Sequence, residues 1–305
     1  MKIDKRVVIV GSVAMDSIET PFGKKDEILG GSATFSSIAA SFFNRDNISI
    51  VAVVGTDFPE KYIGILKQHQ INLDGLEIKE GKTFRWKGSY LKDIHCPVTD
   101  YTHLNVFEDF KPKIPQNLKN VPYLFLANID PELQLNVLNT MVSVKLVLCD
   151  TMNYWIHTKP KVLLGFLNKV DMFLLNESEA RDLSGEDNLI NAAKSLMSKG
   201  ARSIIIKKGE HGVLYFSKDF TFAAPAVLLD DICDPTGAGD TFAGAFLGYL
   251  SNSSKINERN IRKALVYANI MASFTVERFS VNGISNISQD DIDKRYKKFV
   301  GITRF

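Results

Sequence analysis

Three cysteines in 305 residues are too few for a disulfide framework. Cys96, Cys149 and Cys233 make an odd set and no C-x-x-C occurs, which also argues against a cysteine zinc site. Cys149, inside "VKLVLCD", reads as a small core hydrophobe. The five histidines, His69, His95 and His211 among them, show no metal-ligand spacing and are given no role. Charge of one sign is scarce too: 37 Lys+Arg against 35 Asp+Glu leave a formal +2, with no basic run and no interleaved aromatics. That balance argues against nucleic acid or a membrane as partner. No apolar stretch is long enough to span a bilayer, and the run in "MKIDKRVVIVG" is too short for a signal peptide. A cytoplasmic location is expected. No repeat, low-complexity tract or Pro/Gly/Ser-rich linker divides the chain, so a single domain over 1–305 is expected.

What remains is ordinary globular composition, 45% apolar and 24% charged, arranged in a clear alternation. "RVVIVG" (6–11), "ISIVAVVG" (48–55), "PYLFLAN" (122–128), "VKLVLCD" (144–150), "VDMFLLN" (170–176) and "RSIIIKKG" (202–209) are near-continuous apolar runs, suited to strands buried on both faces. Helix patterns fall between several of them: "SATFSSIAASFF", "EKYIGILKQHQ", "PELQLNVLNTMV" and "NLINAAKSLMSKG". The alternation predicts a doubly wound, mostly parallel α/β sheet flanked by helices. "KTFRWKGSYLKDIHCPVTDYTHLNVFEDF" (82–110) breaks the rhythm. Its aromatic and β-branched alternation predicts exposed strands, and a small β-lid built from about 12–22 and 82–110 is expected; an edge hairpin is the plainer alternative.

The densest cluster of turn residues is "DPTGAGDTFAG" (234–244), directly before the apolar "AFLGYL". Glycines opening a helix leave backbone N–H groups bare, and the helix dipole adds positive charge, so the loop is suited to an anion. Asp240 would repel that anion, and makes sense if it takes a proton from a hydroxyl that attacks a phosphate. The spacing of Gly237, Gly239 and Gly244 fits neither G-x-G-x-x-G nor the P-loop. The structural alternative is an Asp-rich turn with Thr236 or Asp240 as a cap.

"DPTGAGDTFAGAFL" (234–247) resembles the C-terminal signature of the PfkB, or ribokinase-like, carbohydrate kinases across all fourteen positions. The resemblance implies an α/β core with a β-lid and ATP-dependent phosphorylation of an alcohol on a sugar or nucleoside. It makes Asp240 the catalytic base and the amides of Gly237, Ala238 and Gly239 the anion hole. "VDMFLLNESEARDLSG" resembles the family's N-x-x-E segment, giving Asn176 to the nucleotide and Glu179 to Mg²⁺ through water; a capping Asn before solvated acids is the other reading. "IIIKKGEHGV" resembles the nucleotide turn, with Lys207, Gly209 and Gly212, and Asn269 fits the position beside the adenine. "VVGTDFPEKY" matches at Gly55 and Asp57 but has Pro59 where glycine is usual.

On the acceptor side, "GSVAMDSIE" matches the family at Asp16, which the resemblance makes the sugar-hydroxyl ligand, a loop Asp in an Asx-turn being the alternative, and "LGGSATFSSIAASFF" resembles the first family signature, with Gly30 and Gly31 letting the backbone approach the substrate. The family's usual asparagine is replaced by Phe35, which together with Trp86 is expected to touch the substrate. Phe35 also has apolar helical spacing with Ile38, Ala39 and Phe42, the pattern of a core residue. A pocket-facing Phe35 predicts discrimination against free ribose, relieved by Phe35→Asn. ATP and Mg²⁺ are the implied cofactors, with a monovalent cation and a homodimer through the lid as further features. A nucleoside kinase and a non-catalytic ligand-binding relative are the rival functions.

Overall fold

The computed structural model describes residues 4–91, 94 and 97–304; His95 and Cys96 lie outside them. Its strands are β1 (Val7–Val10), β2 (Ala14–Thr20), β3 (Gly23–Gly30), β4 (Ile48–Gly55), β5 (Asn72–Lys79), β6 (Arg85–Ser89), β7 (Val98–His103), β8 (Tyr123–Leu126), β9 (Leu146–Cys149), β10 (Met172–Asn176), β11 (Ser203–Lys207), β12 (Val213–Ser217) and β13 (Thr221–Ala224). Its helices are α1 (Ser32–Ser41), α2 (Glu60–Gln68), α3 (Pro131–Thr140), α4 (Asn153–Thr158), α5 (Pro160–Gly165), α6 (Glu177–Ser184), α7 (Leu189–Ser198), α8 (Ala238–Asn252), α9 (Glu258–Thr275), α10 (Asn282–Ser285) and α11 (Gln289–Thr303).

Nine strands form one sheet in the order β13-β12-β11-β10-β9-β8-β1-β4-β5. Pairings from β11 to β5 are parallel, and β12 and β13 are added antiparallel. The apolar runs have their cause here. Along β1, Val7 and Ile9 enter one hydrophobic cluster while Val8 and Val10 enter the other, so neither face tolerates a polar residue. Helices α1, α2 and α8 to α11 complete the first cluster, and α3 to α7 the second. This is the expected doubly wound architecture. The strand order reverses at β1, and the crevice beyond the carboxyl ends of strands near such a reversal is where these sheets bind ligands.

A second sheet, β3-β2-β6-β7, stands apart from the first. It holds the strands expected within 12–22 and 82–110, and also β3, which lay outside that expectation. Lys24–Glu27 are exposed on this edge strand, so "GKKDE" carries no alternation, and its charges suit an open edge. Asp57 ties the two sheets together. Its Oδ1 accepts from Thr83 N (2.7 Å) and Oγ1 (2.8 Å), and its Oδ2 from Arg85 (2.8 Å). Among the described residues no helix is long and apolar enough to cross a membrane.

Candidate active site

Parallel strands deliver their carboxyl ends to one edge. Asp150 follows β9, Asn176 closes β10 and Lys207 closes β11, with Asn176 and Lys207 in register. Lys207 Nζ donates to Asp150 Oδ2 at 2.7 Å, and the two side chains are only 17% and 4% exposed. Burial alone would push the ammonium's pKa down, but the carboxylates of Asp150, Glu179 and Asp240 outweigh it and raise it, so the cation is retained. Asp150 went unnoticed in the sequence; its signal was an acid directly after a buried apolar run.

The N-terminus of α8 meets this edge. Gly237 takes the left-handed conformation (φ 78°), and no side chain caps the helix there. No side chain competes for its first-turn amides, as an anion requires, although Ala238 N turns back to Pro235 O at 3.2 Å. A Cβ on Gly239 would stand 3.2 Å from Lys207 Nζ, so the ammonium and the amides share one space. Asp240, partly exposed, lies in the same turn. Burial of its carboxyl, then the Asp150 charge, push its pKa up to about 7 against the pull of Lys207.

The loop is braced from behind by Asp234, quoted in the motif but given no role from sequence. This fully buried carboxylate accepts from Thr236 N (2.9 Å) and Ser280 N (3.2 Å). The Cys233 and Asp234 amides donate to Val276 O at 2.7 and 3.1 Å.

Asp16 projects from β2 and is 5% exposed. Burial first, then the charges of Asp234 and Asp240, raise its pKa to about 8, with a Gly31 N–H hydrogen bond acting the other way. Gly30 must lack a side chain because a Cβ there would fall 1.8 Å from Asp16 Oδ2. Gly31, at φ 96°, would place a Cβ 2.5 Å from Ser12 O. Trp86 is the register partner of Asp16 across the β2–β6 pair, so both side chains leave the sheet on one side. Its ring lies over Gly88 and its Nε1 donates to Thr99 Oγ1 at 3.3 Å.

Phe35 is a correction. It is 1% exposed, and a Cβ on Gly237 would stand 2.5 Å from its ring. The phenyl group is the floor beneath the glycine loop, and apolar helical spacing signalled core, so it cannot stack on an acceptor. Asn176 and Glu179 form a capping box on α6: Asn176 Oδ1 accepts from Glu179 N (2.8 Å) and Glu179 Oε2 from Asn176 N (2.6 Å). Glu179 is nonetheless 6% exposed rather than a solvated acid, and burial raises its pKa to about 7, with Lys207 lowering and Asp150 raising it. Asn176 therefore offers a ligand only its NH₂ group.

Beside Lys207 and Gly239, which share its wall, a cavity of about 490 Å³ is lined by Gly209, Gly212, Val227, Phe242 and Asn269, with His211 at its wall. Gly209 and Gly212 have φ of 54° and 90°, and Asn269 Nδ2 donates to Pro225 O at 3.2 Å. Beyond β8 and β9, Asn128 Oδ1 and Thr151 Oγ1 are buried without a hydrogen-bond partner.

A doubly wound sheet with a small second sheet, and a glycine loop opening a helix at the strand ends, is the architecture of ribokinase-like proteins. The structure of a Burkholderia thailandensis nucleoside kinase in complex with ADP-inosine matches with TM-score 0.79 at 16% identity, covering 97% of this chain and 96% of that one. The chain belongs to the pfkB family of carbohydrate kinases, whose model matches residues 4–287. Among curated relatives, a cytidine kinase of Thermococcus kodakarensis is 28% identical over 83% of this chain and 91% of its own length. A ribokinase of Lactococcus lactis is 22% identical over 91% and 93%. The protein is thus an ATP:alcohol phosphotransferase acting on a sugar-like substrate.

Proposed function

We propose that the chain transfers the γ-phosphoryl group of ATP to a sugar hydroxyl, with Asp240 as the base. The observation that carries this is the convergence of Asp240, the uncapped first turn of α8 and the Lys207 ammonium at one strand edge. The acceptor lies against Asp16 and the Gly30–Gly31 backbone. Asp240 takes the hydroxyl proton as that oxygen attacks the γ-phosphorus, and ADP leaves with the electrons of the broken bond. The amides of Gly237, Ala238 and Gly239, with Lys207, hold the transferred group's oxygens. Gly209, Gly212 and Asn269 wall the nucleotide cavity, and the NH₂ of Asn176 reaches toward the phosphates.

Among the described residues no group of three or more His, Cys, Asp or Glu could hold a metal ion. Magnesium fits as a cation carried on the nucleotide, with Glu179 and Asp150 holding its waters; bound, it would neutralise phosphate charge. No described residue is assigned to a monovalent cation. The second sheet serves as a lid on the single α/β domain. Exposed Phe22 and Val98 on it support a homodimer, to be checked by light scattering. A cytoplasmic location follows the supply of ATP.

A nucleoside acceptor is favoured over a free sugar because Trp86, on the Asp16 side of the second sheet, offers an aromatic face to a base. The cytidine kinase relative supports the same choice. The test is ATP consumption over pentoses, hexoses, sugar phosphates and nucleosides, with Asp240→Asn as control. Nucleosides should give the highest kcat/KM, and Asp240→Asn should lose about 10²–10⁴-fold in kcat. A free sugar at the head of the ranking discards the nucleoside, and an Asn variant keeping more than about a tenth of the rate discards the base.

A further inference from the structure

One hydroxyl pair joins the second sheet to the glycine loop. Tyr90, just after β6, is 6% exposed, and its phenolic oxygen is hydrogen-bonded to Thr236 Oγ1 at 3.0 Å. Thr236 immediately precedes Gly237, and its own amide is fixed on Asp234 Oδ1 at 2.9 Å. Tyr90 N donates to Glu19 O at 2.8 Å, which binds it to β2, the strand that carries Asp16. Four residues further on, Ile94 lines the nucleotide cavity. A single residue therefore links the acceptor strand to the loop, and the chain that follows it reaches the nucleotide cavity.

We propose that Tyr90 is a positioning residue which, through Thr236, holds the Gly237–Gly239 amides in place relative to Asp16. The proposal rests on the assignment of those amides to the transferred phosphoryl group. Thr236 is one peptide bond from Gly237, and the rigid plane of that bond makes the Gly237 amide move with the Thr236 carbonyl. A transition state is sensitive to such displacements, since its donors must meet developing charge at hydrogen-bonding distance. ATP binding draws on the whole nucleotide cavity, to which this loop gives only Pro235, Ala238 and Gly239, and so is less exposed to the pair.

Tyr90→Phe keeps the ring and removes one oxygen; Thr236→Val removes the other partner; Thr236→Ser keeps the hydroxyl. With Mg·ATP and the best acceptor of the panel, the first two should each lower kcat about two- to tenfold, the size expected from one hydrogen bond, with KM for ATP unchanged. Thr236→Ser should retain the wild-type rate, and the double variant should be no slower than the slower single. Wild-type kcat in Tyr90→Phe, or losses that multiply in the double variant, would overturn the proposal and leave the pair a structural tie. Amide hydrogen exchange with ATP alone needs no acceptor. ATP should protect residues 234–240 more in wild type than in Tyr90→Phe, and equal protection in both counts against the proposal. Turnover that survives Asp240→Asn would instead show that the loop assignment itself is at fault.

Discussion

Phe35 and Gly237 divide a single space: the ring fills the volume that a side chain at 237 would need. Phe35→Asn should therefore unfold the floor of the loop rather than open a sugar site. Emptying a buried aromatic position costs about 3–5 kcal/mol, and an unpaired amide adds to that. A denaturant titration should show the loss, and kinetics on ribose should show no gain; an intact fold with improved ribose use would return Phe35 to the pocket. A grouping written in one contiguous motif was legible in the sequence: Gly237, Gly239 and Asp240 do stand together at the start of α8. Asp150 and Asp234 were not, because their partners are Lys207, 57 residues on, and Ser280, 46 residues on. The raised pKa of Asp240 has a kinetic consequence. As the proposed base it must be ionised to act, so kcat/KM should fall roughly tenfold per pH unit below about 7. Asp150→Asn removes a negative neighbour, which should move that limb to lower pH. A limb in the ordinary carboxylate range, or one that Asp150→Asn leaves in place, would separate the limb from Asp240.

Helices α1 and α8 meet more closely than a methyl group permits. A Cβ on Gly244 would lie 2.0 Å from Ser36 O, and one on Gly248 2.6 Å from Ala40 O. The contact sets the depth at which α8 presents its first turn, for Ser36 Oγ also donates to Asp240 O at 3.0 Å. Gly244→Ala should cost about 1–3 kcal/mol by overpacking. Gly64 in α2 has nothing within 4 Å of its Cβ position, so Gly64→Ala should stabilise by about 0.5–1 kcal/mol through lost chain entropy. Denaturant midpoints of the two variants should move in opposite directions, and a neutral Gly244→Ala would mean that the helices can part without strain. Elements buried on both faces were the readable ones, since β1, β4 and β8 to β11 carry near-continuous apolar runs. β3 and β5 escaped notice because they are sheet edges, half in water, where neither alternation nor a continuous run is enforced.

Taken as a whole, the molecule gathers carboxyl groups of raised pKa from three distant stretches: Asp16 at about 8, and Glu179 and Asp240 at about 7. Each binds its proton more tightly folded than unfolded. Their stabilising contribution is full below the unfolded values near 4 and is lost as pH rises through 7 to 8. His69, whose pKa burial lowers from 6.5, acts in the opposite sense, and only below that value. Tm should therefore fall from about pH 6.5, where His69 no longer opposes the trend, to about pH 8, and Asp16→Asn should flatten the slope. A profile that Asp16→Asn leaves unchanged would remove Asp16 as its source. The same dispersal bears on how the chain is made. The loop that holds Asp240 is fastened by Ser280 and Val276, and Ser280 Oγ also donates to Leu29 O beside the acceptor glycines. A ribosome that stalls before residue 276 would release a chain with every motif of the site and neither of those fastenings. Such a fragment would be idle rather than a leak in the cell's ATP supply, so the enzyme's first turnover waits on residues synthesised well after Asp240 itself.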